Sequence, residues 1–184
     1  MEERLKDAKR RMEGAVRSLT AEFASVRTGR ASTALLDRVT VDAYGSPMPL
    51  NQLATIHAPE PRLLTVQPYD RSIMGAVEKA IMESDLGLTP SNDGQLIRLP
   101  IPQLTEERRR ELVRLVHKMA EEARVAVRNV RRDVLNDLKR SEREGELSRD
   151  ELSRAQDEVQ KLTDAEVAAI DELMARKEAE ILEV

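Results

Sequence analysis

TEERRRELVRLVHKMAEEARVAVRNVRRDVLNDLKR, residues 105–140, decides the architecture. Leu112, Val116, Met119, Ala123, Val127, Val130, Val134 and Leu138 recur at steps of three and four, the rhythm of one helix face. Arg110, Arg114, His117, Glu121, Arg124, Arg128 and Arg131 keep the same rhythm, starting two residues earlier and about 200° away around the axis. The stretch therefore predicts one long helix with a face to bury and an opposite face rich in guanidinium. Thr105 stands where an N-cap belongs, and Glu106 and Glu107 suit the positive end of the helix dipole.

Two further long helices flank it. Upstream, Leu5, Ala8, Met12, Ala15/Val16, Leu19, Phe23 and Val26 predict a helix over residues 2–26, ending near Thr28-Gly29. Downstream, Gly145 marks a short turn. Ser148 and Glu151 then form a capping box, and Leu147 with Leu152 a hydrophobic staple, ahead of Val159, Leu162, Val167, Ile170, Leu173 and Ile181. At 1.5 Å per residue the second and third helices each run roughly 54 Å, too long for a compact small domain. Residues 31–104 differ in texture. They hold all eight prolines. Short apolar runs at Val39–Tyr44, Ala54–Ala58, Leu63–Gln67 and Leu96–Ile101 alternate with turn signals at Tyr44-Gly45-Ser46-Pro47, Pro59-Glu60-Pro61 and Ser91-Asn92-Asp93-Gly94. One amphipathic helix, Ser72–Ser84, turns Ile73, Val77, Ala80 and Ile81 inward.

The expected fold class is α+β: an elongated three-helix bundle, residues 1–29 and 105–184, with a small mixed β/α domain, residues 30–104, inserted between helices one and two. Both connections to the insert leave from one end of the bundle. Helix one must then run antiparallel to helix two and parallel to helix three. The double crossing near Gly29–Arg30 and Pro102–Leu104 is the expected hinge.

Composition narrows the chemistry. The net charge is −4, but residues 1–30 carry +3, residues 31–104 −3, residues 105–140 +4 and residues 141–184 −8. Positive charge gathers on helices one and two, and Arg outnumbers Lys 23 to 7. Guanidinium is the better bidentate partner for phosphate. Aromatics are only 2%, so RNA contact would run through phosphates and shape rather than base stacking. The bland alternative is a solvated helix face beside the acids of helix three. Catalysis finds no footing. His57 and His117 lie in different predicted domains, and no glycine-rich phosphate loop occurs. Cysteine is absent, which removes disulfides and thiolate ligands and suits a reducing cytosol. No catalytic residues, metal site or cofactor are expected, and no leader or membrane span.

Five segments carry a family resemblance: VRTGRAS (26–32), LLDRVTVDAYGSPMPLNQLA (35–54), YDRSIMGAVEKAIMESDLGLTPSNDGQLIRLPIPQLTEERR (69–109), ARVAVRNVRRD (123–133) and QDEVQKLTD (156–164). The chain resembles the bacterial ribosome recycling factor family over essentially its full length. The resemblance implies an L-shaped, cytoplasmic, monomeric, non-catalytic protein with a β/α/β domain on a flexible hinge. It implies binding to the ribosome after translation termination, with the bundle on large-subunit rRNA at the subunit interface. With elongation factor G and GTP, it implies subunit splitting and release of mRNA and tRNA. By motif, the RNA-binding residues would be Arg27, Arg30, Arg128, Arg131 and Arg132. The hinge would comprise Thr28, Gly29, Arg30, Ala31, Leu104 and Thr105. Tyr44, Arg62 and Arg71 are candidates for meeting the elongation factor. From another class stands the alternative of a helical RNA-binding arm or chaperone-like adaptor without recycling activity.

Overall fold

A computed structural model describes residues 1–183. In chain order the elements are α1 (Glu2–Ser25), β1 (Thr40–Ala43), β2 (Ser46–Pro49), α2 (Leu50–Leu53), β3 (Ala54–Glu60), β4 (Leu63–Pro68), α3 (Met74–Glu83), β5 (Ser91–Asn92), β6 (Ile97–Pro100), α4 (Glu106–Arg143) and α5 (Arg149–Leu182). The fold is α+β. The chain divides into two compact units, Met1–Arg27 with the chain from Glu106 onward, and Thr28–Thr105.

The first unit is three helices sharing one apolar seam. On α4 the buried row is Leu112, Val116, Ala120, Ala123, Val127, Val130, Val134, Leu138 and Ser141. It corrects the sequence reading at one place: Ala120 occupies the seam, and Met119, one residue off its line, is half-buried. Ala8, Met12, Leu19 and Phe23 of α1 and Ala155, Val159, Thr163, Ile170 and Ile181 of α5 complete the core. Thr163 keeps its buried hydroxyl satisfied by donating to the Val159 carbonyl at 2.8 Å. Polar contacts between helices report their directions. Arg4 of α1 meets Asp137 at 2.8 Å and Arg11 meets Asp133 at 3.3 Å, so α1 opposes α4. Arg124 meets Asp171 and His117 meets Glu178, so α4 opposes α5 and α1 runs parallel to α5.

The junction between α4 and α5 is closed from both sides. Gly145 has φ +79° and donates to the Glu142 carbonyl at 3.1 Å, while Glu146 donates to Ser141 at 2.9 Å, the paired bonds of a Schellman cap. Ser148 and Glu151 then form the capping box, with bonds of 2.8 and 3.1 Å. These contacts satisfy backbone groups that a helix end otherwise leaves to water.

The second unit packs a four-stranded antiparallel sheet, order β3-β4-β6-β5, with a two-stranded ribbon β1-β2 and the helix α3. Leu64 and Val66 on β4 alternate inward with Ile97 and Leu99 on β6, against Val77 and Ile81 of α3. The predicted helix at Ser72–Ser84 begins as a 3-10 turn, Arg71–Ile73, before α3 proper. Asp70 caps that turn by accepting from the Ser72 amide at 2.9 Å. Two strands were not visible in the sequence. In β2, Pro47 and Pro49 lack amide donors, which argues against a sheet interior; the strand pairs on one side only, with β1. In β5, two residues inside a turn signal pair with β6.

Residues Tyr44 and Gly45, with φ +54° and +83°, join β1 to β2 as a two-residue turn. A tyrosine there carries strain of about 1–2 kcal/mol. Its hydroxyl donates to Asp70 Oδ2 at 2.7 Å, tying the ribbon to the start of α3.

Candidate nucleic-acid interface

The arginine stripe of α4 is not one surface. Turning about 100° per residue from the seam position Val127, Arg131 stands about 40° away, Arg124 about 60° and His117 about 80°. Arg110 and Arg128 lie at about 100°, Glu121 at about 120°, and Arg114 and Arg132 at about 140°. The first three lean toward α5; the others face outward.

Contacts follow that division. Arg124 donates from Nε and Nη2 to Asp171 Oδ1 at 2.8 and 2.6 Å, and from Nη1 to Glu121 at 3.1 Å. Its side chain is only 15% exposed, with Met174 Sδ 3.5 Å from Nη2. Burial disfavours its charge, but Asp171 and Glu121 outweigh that and leave its pKa raised. Arg124 is an interhelical clamp. His117 likewise pairs with Glu178 across the same flank, at 2.9 Å. Acids of α5 thus cover part of the face that the sequence reading left open.

The outward row differs. Arg128 is 54% exposed, and its single ion pair among the described residues is to Glu121 at 3.4 Å. Arg132 and Arg114 are exposed and have no hydrogen-bond or ion-pair partner among the described residues. Arg110 pairs with Glu106 one turn back. Arg131, nearest of the stripe to the seam, is half-buried, with Nε shielded from solvent and lacking an acceptor among the described residues. Its stem packs beside the seam, in the manner of a long cation that keeps its head in water.

The remaining site residues lie where the chain passes between units. Arg27 and Arg30 are exposed, Arg27 following the end of α1 and Arg30 belonging to the second unit. Gly29 has φ +77°, and a Cβ there would stand 3.0 Å from Leu104 Cγ, so both its conformation and its neighbour call for glycine. Ala31 donates to the Pro61 carbonyl at 2.7 Å, and Thr28 and Leu104 are half-buried. Thr105 is exposed and immediately precedes α4. Among the candidates on the second unit, Arg71 is exposed and Arg62 half-buried, and the ring of Tyr44 is exposed.

Among the described residues, no group of His, Asp or Glu is arranged to hold a metal ion, and no helix is long and apolar enough to cross a membrane. What the sequence missed is the clamp. Arg124 and Glu121 are visible as an i,i+3 pair, but Asp171 joins them only once the register between α4 and α5 is known.

Comparisons with known proteins bear on the family. The family model described as ribosome recycling factor matches residues 19–182. A ribosome-recycling factor of Rubrobacter xylanophilus is 61% identical over 180 residues, 98% of this chain and 97% of that protein. One from Bradyrhizobium diazoefficiens is 58% identical over 98% of this chain and 96% of its own length. The solution structure of a ribosome recycling factor is similar with a TM-score of 0.75 at 48% identity, over 100% of this chain and 97% of that one. A model of the T. thermophilus ribosome recycling factor, bound with E. coli elongation factor G to the E. coli post-termination complex, gives a TM-score of 0.62 at 49% identity, covering 98% of each chain. With three helices, an inserted sheet unit and near-full-length identity in common, this chain belongs to the ribosome recycling factor family, whose members are non-enzymatic translation factors.

Proposed function

We propose that this chain recycles ribosomes after termination. It binds the post-termination ribosome at the subunit interface and, with elongation factor G and GTP, promotes subunit splitting and release of mRNA and tRNA. The observation that carries the reading is identity of 56–61% to ribosome-recycling factors over nearly the whole chain. The relative seen on the post-termination complex with elongation factor G supports the choice of partners.

In this reading the first unit docks on large-subunit rRNA. Arg128, Arg131 and Arg132 contact phosphates, as does Arg27 of the same unit, and Arg30 of the second unit is a further RNA contact. The exposure of Arg128 and Arg132 supports that assignment, since a cation already spent inside the bundle has little left for RNA. Thr28, Gly29, Arg30, Ala31, Leu104 and Thr105 form the hinge that lets the second unit move under the elongation factor. The continuous seam of α4 and α5 gives the first unit the stiffness to pass a push into intersubunit contacts. The protein works as a monomer in the cytoplasm.

The test is subunit splitting followed by light scattering on post-termination ribosomes. Acceleration is expected only when the chain, elongation factor G and GTP are all present. A chain that sediments with large subunits yet never accelerates splitting is an RNA-binding adaptor instead.

A further inference from the structure

Glu121 lies in the middle of the basic row, between two arginines with different jobs. Its Oε2 receives Nη1 of the clamped Arg124 at 3.1 Å, and its Oε1 lies 3.4 Å from Nη1 of the outward Arg128. Arg124 is held in turn by two bonds to Asp171. One carboxylate oxygen of Glu121 is thus anchored to a covered side chain, and the other is left facing the helix surface.

We infer that Glu121 is a positioning residue that masks Arg128 and yields it only to a well-placed RNA phosphate; the inference rests on the function proposed above. Three observations support it. The Glu121 pair is the sole ion pair of Arg128 among the described residues, so no other partner restrains that guanidinium. The pair is long and half-exposed, the kind that is weak in water. A phosphate offering two oxygens makes a stronger contact with guanidinium and can displace it. Arg132, one turn further along the same outward row, has no partner among the described residues. A phosphate lying across both positions gains two cations for one broken pair. A phosphate reaching Arg128 alone meets Glu121 as a competitor. Glu121 thereby makes binding depend on where the phosphate lies rather than on its charge alone.

The test compares wild type, Glu121→Gln, Glu121→Asp, Arg128→Ala and Glu121→Gln/Arg128→Ala for binding to purified large ribosomal subunits and to an unrelated RNA duplex, across a salt series. Glu121→Gln should tighten binding to the unrelated duplex by about two- to five-fold, the span set by releasing a weak exposed pair. It should tighten binding to large subunits by less, so selectivity falls. The salt dependence should steepen by up to about one unit as Arg128 becomes free to displace a counterion. Glu121→Asp keeps the charge but withdraws it by one methylene, and should behave as Glu121→Gln does. The gain should vanish in the double variant. An unchanged Glu121→Gln, or a gain that survives without Arg128, overturns the inference. Thermal melts check the fold, which the two Arg124–Asp171 bonds should preserve; Glu121→Asp keeps the question open to refutation if Glu121→Gln melts early. A wild-type chain with no preference for large subunits over the duplex overturns the functional reading itself, whatever Glu121 does.

Discussion

Replacing Arg124 with alanine separates the two rows of α4. The structure assigns Arg124 to the bundle, so the loss should fall on stability and spare ribosome binding. The variant removes two charge-assisted bonds to Asp171 and one to Glu121. Bonds of that kind contribute about 1.5–3 kcal/mol when well shielded. Asp171 and Glu121 are half-exposed and recover water when the arginine goes, which discounts the sum. The expected cost is about 1.5–2.5 kcal/mol, a fall in Tm of roughly 3–10 °C for a chain of this size. Far-UV circular dichroism during heating and urea titration reads the helical unit. Sedimentation with large subunits at a temperature where both proteins are folded reads binding, expected within about twofold of wild type. Asp171→Asn should reproduce the stability loss, and the double variant should lose less than the sum, since each single change already breaks the same contact. If Arg124→Ala left stability within about 0.5 kcal/mol of wild type while binding fell tenfold, the division of the stripe would be wrong.

Other substitutions probe the site and the scaffold. Arg131→Ala should weaken large-subunit binding by about 1–3 kcal/mol and make its salt dependence shallower by about one unit; wild-type affinity and slope would remove Arg131 from the interface. Gly29→Ala should cost about 1–2 kcal/mol in urea unfolding from the left-handed backbone alone, before Leu104 shifts to admit the methyl group; an unchanged midpoint would mean the φ of +77° is not maintained in solution. Glu166 has its pKa raised, foremost by burial and then by the like charge of Glu13, with Lys9 partly offsetting them. An acid whose folded pKa exceeds its unfolded value favours the fold below the unfolded pKa and loses that advantage as pH rises through the folded one. Glu166→Gln should therefore gain about 0.5 kcal/mol at neutral pH, with the gain fading as pH falls through the raised folded pKa and gone below the unfolded one. A gain of equal size at pH 3 would refute the electrostatic cause.

The three long helices were legible because each carries a periodic apolar series and an explicit end signal. Ser148 with Glu151, and Gly145 ahead of them, behave in the structure as their types and spacing imply. The single slip on α4, Met119 for Ala120, arose because a hydrophobic scan prefers the larger apolar residue, whereas burial follows the angle around the axis. In the sheet unit, the strands with alternating apolar residues were visible. β2 was hidden because its prolines weigh against a strand unless one knows that only one side is paired. The stripe shows a different limit. Spacing of three and four groups residues within a broad arc, and a few tens of degrees decide whether an arginine meets α5 or solvent. That margin depends on where α5 lies, which is a fact about two segments nearly fifty residues apart, and no reading of α4 by itself supplies it.

The inserted unit also imposes an order of events during synthesis. Eighty residues separate Ser25 at the end of α1 from Glu106 at the start of α4. At about 5–20 residues per second, α1 waits roughly 6–23 s before even the last turn of α4 has been made, and longer for α5. The β/α unit is contiguous and can close in the meantime. The five residues between α4 and α5 make their pairing a short-range hairpin, whereas α1 must return across the whole insert. Ala8 and Met12, buried in the finished bundle and facing the later-made half of α4, are therefore side chains that wait especially long for partners on the nascent chain. For that interval, the amphipathic face that closes the bundle is the face a chaperone would meet.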